Sequence, residues 1–124
     1  MIPFGIGSIR ATDEVPRGGS MKHFLLFYDF VSDYLERRVP LRPAHFKLAR
    51  AAQARGELVL GGPYADPIDG AVLLFLGENR TVVERFVEAD PYVQNGVVKT
   101  WHMREWTTVV GETALAPPPL EVGG

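Results

Sequence analysis

The chain contains no cysteine among its 124 residues. That absence excludes a disulfide framework, a thiolate metal centre and a cysteine nucleophile together. Long apolar runs are missing as well: the longest, Phe24–Tyr28 and Ala71–Leu76, fall far short of the roughly 20 residues that span a bilayer. No membrane partner is expected. There is no basic-then-apolar leader of the kind that directs export, so an unexported, cytoplasmic protein is expected. Basic clustering is absent too. Lys and Arg number 13 against 15 Asp and Glu, and Arg37-Arg38 is the one adjacent basic pair. A nucleic-acid binder needs a concentrated cationic face to release counterions, so nucleic acid is not an expected partner. What remains is 46% hydrophobic and 23% charged, the composition of an ordinary globular domain. A domain of this size buries about two-thirds of its unfolded surface, and pairing with a second copy would bury more.

Residues 1–20 hold Gly5, Gly7, Gly18, Gly19 and two prolines without a sustained period. They read as a flexible leader, vector-derived or from a misassigned start, with Met21 the alternative natural start. Residues 21–110 carry the domain pattern. Residues 111–124, with Pro117-Pro118-Pro119 and Gly123-Gly124, read as an extended tail.

Six elements are expected within the domain. Lys22–Tyr28 is short and aromatic-rich, which suits a strand. Pro40 and Pro43 bracket a helix start, because proline is tolerated only in the first turn. Leu41, Ala44, His45, Leu48, Ala49 and Ala52 then share one helical face, and Gly56 ends the helix. Glu57–Leu60 reads as a strand closed by a Gly61-Gly62-Pro63 turn, and Ala71–Leu76 as a strand covered on both faces. Val82, Val83, Phe86 and Val87 fall at helical spacing over Arg80–Ala89, which Asp90-Pro91 ends. Val97–Trp106 alternates between two unlike faces, as a strand does. The order β-α-β-β-α-β is the split βαβ of a ferredoxin-like α+β fold. With both helices on one face of the sheet, the strand residues Phe24, Leu26, Tyr28, Trp101 and Trp106 exceed what those helices hide. A homodimer, its two sheets facing to form an α+β barrel, is therefore expected.

Several residues carry candidate chemistry. His45 lies on the apolar helix face one turn after Arg42, where an imidazole exchanges protons near neutrality and a guanidinium binds an anion. The plainer alternative is a core or interface histidine. Asp90-Pro91-Tyr92 stops a helix on the plain reading; on the functional one, Asp90 orients His45 or receives a proton and the Tyr92 hydroxyl meets a substrate oxygen. The Gly61-Gly62 pair before Pro63 sets N–H groups against an anion or merely turns, and Asp66 caps a loop or sits on a cleft rim. No G-x-G-x-x-G, P-loop or G-x-S-x-G is present. His23 and His102 lack metal-ligand spacing, and no metal is expected.

Arg42-Pro43-Ala44-His45, Gly56-Glu57-Leu58 leading into Gly61-Gly62-Pro63, Gly70-Ala71, and Asp90-Pro91-Tyr92 with Gly96-Val97 together resemble the YciI-like, or YCII-related, family in order and spacing from about Met21 to Trp106. The resemblance implies a dimeric α+β barrel with a cleft beside the first helix. It places the family's proposed active-site histidine on His45 with Arg42 beside it, its D-P-Y/F aspartate on Asp90 and its G-P turn on Gly62-Pro63. One member is described as a dehydrochlorinase of chlorinated-aromatic breakdown and muconolactone isomerase shares the barrel, so proton-transfer chemistry without a cofactor is implied. The expected activity is acid/base isomerisation or elimination on a small anionic or phenolic compound. His45 and Asp90 would be catalytic, with Arg42, Gly62, Pro63, Asp66 and Tyr92 binding substrate. The rival expectations are a non-catalytic small-ligand-binding or accessory dimer module, and a haem or quinol oxygenase.

Overall fold

A computed structural model describes residues 21–119; the leader and the last five residues lie outside the described part. β1 (Lys22–Phe30) alternates from Phe24 on, burying Phe24, Leu26, Tyr28 and Phe30 and turning Leu25 and Phe27 the other way. A short helix, α1 (Tyr34–Arg37), follows. α2 (Arg42–Ala54) begins at the expected place, with Pro43 in its first turn where no intrahelical N–H bond is owed. Gly56, at φ +82°, closes it. The Gly56 N–H reaches the Gln53 carbonyl and the Glu57 N–H the Ala52 carbonyl, each at 2.9 Å, a Schellman closure that needs the left-handed conformation glycine allows. β2 (Leu58–Pro63), β3 (Gly70–Gly77), α3 (Thr81–Ala89), the short α4 (Pro91–Gln94) and β4 (Val98–Trp106) complete the domain.

The strands form one sheet in the order β2-β3-β1-β4, antiparallel throughout. With its helices on one face this is the ferredoxin-like α+β fold. α3 seats Val82, Val83, Phe86 and Val87 on the sheet, and Phe86 meets Phe75 edge-on with ring centroids 5.1 Å apart. Each such side chain contributes about 1.5–3 kcal/mol by leaving water. α2 is docked far less deeply, since Ala52 is its one fully buried residue. The gap this leaves between α2 and β2 becomes the site.

Four features differ from the sequence reading. Gly61-Gly62-Pro63 do not turn: they are the second half of β2, opposite Leu73, Val72 and Ala71 of β3. Glycine serves here by its small size, because a Cβ on Gly61 would stand 3.0 Å from Leu73 Cγ. Proline is tolerated at Pro63 because β2 is an edge strand at its last residue. Second, α1 and α4 are too short to leave a periodic signature. Third, Phe24, Leu26 and Tyr28 need no partner sheet, being already buried under the helices. The open face consists of Leu25 and Phe27 with their cross-strand partners Leu74, Arg104, Val72 and His102, and of Trp106, 47% exposed. His23 and His102 share this face four register positions apart, opposite Trp106 and Phe27. Fourth, the tail is not extended from residue 111 on. The Ala116 N–H bonds the Thr108 carbonyl and the Leu115 N–H the Thr108 hydroxyl, so the chain folds back beside His23, whose Nδ1 lies 2.8 Å from that hydroxyl.

No helix among the described residues is long and apolar enough to cross a membrane.

Candidate active site

α3 must end before Pro91, and Asp90 does so in an extended conformation (φ −77°, ψ 118°). Its carboxylate then caps the next turn, Oδ1 accepting the Tyr92 N–H at 3.0 Å. Gly96, at φ +76°, closes that turn by the same left-handed device as Gly56, returning the Val97 N–H to the Tyr92 carbonyl at 2.9 Å. The corner holds both the Asp90 carboxylate and the Tyr92 ring in fixed positions.

Asp90 is fully buried and accepts from two further groups. Its Oδ1 lies 2.8 Å from His45 Nδ1, and its Oδ2 accepts the Tyr28 hydroxyl hydrogen at 2.7 Å. The turn-capping role and the partner-of-histidine role are thus performed by one oxygen. A carboxylate only accepts, so Nδ1 of His45 carries a hydrogen and Nε2 of the neutral ring offers its lone pair. Asp90 itself, enclosed and with both oxygens engaged, is placed to orient the imidazole and to stabilise its positive charge.

The His45 ring lies flat on Tyr92, centroids 3.8 Å apart and planes within 4°. Burial, and next the neighbouring Tyr34, push the Tyr92 hydroxyl up to about 12, so it stays a neutral phenol through the physiological range. Burial first, then the Asp90 charge and hydrogen bond, push the Tyr28 hydroxyl up as well. Tyr34 stacks on Phe30 at 3.7 Å and meets Tyr92 edge-on at 5.9 Å, while Arg38 Nη1 donates to the Tyr34 hydroxyl at 3.2 Å.

These groups surround a cavity of about 110 Å³ between α2 and the sheet, lined among others by Tyr28, Tyr34, Arg38, Arg42, His45 and Tyr92. Gly61, Gly62 and Pro63 form part of its wall. A dry cavity of roughly 150 Å³ accepts one benzene ring, so this space, which is open on one side, suits a single ring. Arg38 and Arg42 supply positive charge at the wall, and neither makes an ion pair with a carboxylate among the described residues.

The structure therefore brings His45, Asp90, Arg42, Gly62, Pro63 and Tyr92 to one place. Asp66 stands apart, exposed in the loop joining β2 to β3 beside a cis peptide bond to Pro67, and does not line the cavity. Sequence reasoning missed Tyr28, Tyr34, Arg38 and Phe46. Tyr34, Arg38 and Arg42 recur at four-residue steps, a signal concealed by Pro40, which reads as a break. Tyr28 carried no signal beyond a polar tip on an apolar strand. Among the described residues no three His, Asp or Glu converge as metal ligands.

Comparison with solved structures supports the fold. The 5-chloro-2-hydroxyhydroquinone dehydrochlorinase of Burkholderia phenoliruptrix AC1100, in complex with 2,5-dihydroxybenzoquinone, superposes with a TM-score of 0.62 at 22% identity, over 74% of this chain and 98% of that one. A NIPSNAP family protein of Agrobacterium tumefaciens str. C58 superposes with a TM-score of 0.50 at 10% identity, over 76% and 96%. None of the curated proteins matches the chain in sequence. The YCII-related domain matches residues 21–107, the whole of the sheet and its helices. The chain belongs to the YCII-related domain family.

Proposed function

We propose that the protein is a cofactor-independent acid/base enzyme, of isomerase or dehydrochlorinase/lyase type, acting on a small anionic or phenolic ring compound. The observation that carries this reading is the Tyr28–Asp90–His45 chain, with links of 2.7 and 2.8 Å, ending at a cavity that also holds Arg38 and Arg42. The Arg38 and Arg42 guanidiniums bind the oxyanion of the substrate. His45 Nε2 takes a proton from carbon or hydroxyl, and the imidazolium formed is stabilised by Asp90. Returning that proton at another carbon isomerises the substrate. If a halide leaves from the neighbouring carbon with the bonding pair, the products are a new double bond and the halide. A structural relative whose named activity is dehydrochlorination and whose bound molecule is a dihydroxybenzoquinone supports the choice of class.

The same reading takes the protein as a cytoplasmic homodimer, with the open sheet face at Leu25, Phe27 and Leu74 covered by a second copy. Sedimentation should then give twice the 13.7 kDa chain mass, and Phe27→Asp should give monomer.

The activity is tested in D2O with a panel of hydroxyquinols, hydroxybenzoquinones and enolic acids, including 5-chloro-2-hydroxyhydroquinone. NMR follows loss of C–H signals and an ion electrode follows chloride. Exchange or chloride release that disappears in folded His45→Gln supports the assignment. Undiminished turnover by that variant, or no reaction with any member, overturns it in favour of a ligand-binding module.

A further inference from the structure

α2 carries Arg42, Phe46 and Arg50 at four-residue steps, which places them on one face about 6 Å apart along the axis. Both guanidiniums lie over the Phe46 ring, Arg42 at 5.0 Å and Arg50 at 5.4 Å from its centroid. Arg42 lines the His45 cavity, whereas Arg50 lines a second, more open cavity of about 280 Å³ between α2 and β2. The two spaces share a wall of Phe46, Ala49, Leu58 and Gly61. The far space adds Gln53 and the apolar Val59 and Leu60. No carboxylate pairs with Arg50 among the described residues. The result is one groove of two adjoining chambers, the first with Arg38 and Arg42 and the second with Arg50, and the Phe46 ring between them. An arginine without a carboxylate partner in a groove with an apolar floor favours an anion carried on an apolar stem.

We infer that the groove binds a bipartite ligand: a phenolic or enolic ring beside His45, bearing an apolar arm of three or four carbons that ends in a carboxylate at Arg50. The ring half rests on the acid/base reading given above. The arm half rests on Arg50, Phe46 and the second chamber. Arg50 is exposed and outside the first chamber, so it acts in affinity and choice of substrate and leaves the proton transfer to His45.

Calorimetry of the full chain with two probes of equal length tests this. 4-(4-Hydroxyphenyl)butanoate carries the charged arm, and 4-butylphenol carries a neutral one. The butanoate should bind about fivefold more tightly, the upper end for one ion pair at an exposed site. Arg50→Gln should abolish that advantage while leaving 4-butylphenol unchanged. Equal binding of the two probes by the unmodified protein overturns the arm site. So does an advantage that survives Arg50→Gln, or one lost only in Arg42→Gln, which would put the carboxylate in the ring chamber. Failure of the ring reading looks different: neither phenol then binds, or His45→Gln leaves the binding of both unaltered.

Discussion

The imidazole of His45 lies flat on the phenol ring of Tyr92, with centroids 3.8 Å apart and planes within 4°. The stack fixes the ring plane while Asp90 Oδ1, 2.8 Å from Nδ1, fixes its rotation. Tyr92→Phe keeps the stack and should cost less than about 1 kcal/mol, a volume-conserving change. Tyr92→Ala removes the platform of a buried side chain and should cost about 3–5 kcal/mol. Urea denaturation of the two variants checks the contrast. Equal destabilisation by both would show that the hydroxyl, and not the ring face, carries the interaction.

Tyr28 reaches Asp90 from a distant part of the chain, and the bond is fully enclosed. Tyr28→Phe keeps the ring and deletes one donor to a buried carboxylate. Leaving a buried group short of a partner costs about 1–3 kcal/mol. A midpoint in urea indistinguishable from that of the parent would contradict the bond.

Asp90→Asn retains the shape of the corner but replaces a pure acceptor with a group that also donates. The amide no longer demands a hydrogen on Nδ1, so the ring can adopt the tautomer that leaves Nε2 protonated and useless as a base. The expected result is a fall of about 100-fold in proton transfer, with 15N shifts of the His45 ring reporting the altered tautomer. Parental rates together with parental 15N shifts would remove Asp90 from the mechanism.

Alkaline pH offers a test that needs no substrate. The fold holds the Tyr92 hydroxyl at about 12, above the ordinary tyrosine value of about 10, and so favours the neutral phenol. That contribution to stability is complete below about pH 10 and is lost as the pH rises from there through about 12. Tyr28 is displaced in the same direction. The urea midpoint should therefore fall over this window, and Tyr92→Phe should make the fall shallower. A midpoint independent of pH up to 12 would be the contrary result.

The element order was legible because it is written in neighbours two to four residues apart. A short aromatic-rich apolar run marks β1, the Val82–Val83–Phe86–Val87 spacing marks α3, and Pro43 and Gly56 bound α2. His45, Arg42 and Asp90 were legible as candidates from their residue types and spacing. Their assembly was not, nor was the part played by Gly61-Gly62-Pro63. Glycine and proline side by side suit a turn or an edge strand equally, and the Leu73 side chain standing opposite Gly61 decides between them.

By itself, then, the sequence determined the longer elements, β1, α2, β3, α3 and β4, because backbone sterics and apolar periodicity act locally. Only the tertiary structure decided that Tyr28 meets Asp90 across 62 residues, and that Arg38, Arg42 and Arg50 stand along one groove without carboxylate partners among the described residues, while Asp66 stands away from it. Such meetings depend on sheet register, and a slip of one residue would turn Tyr28 to the opposite face.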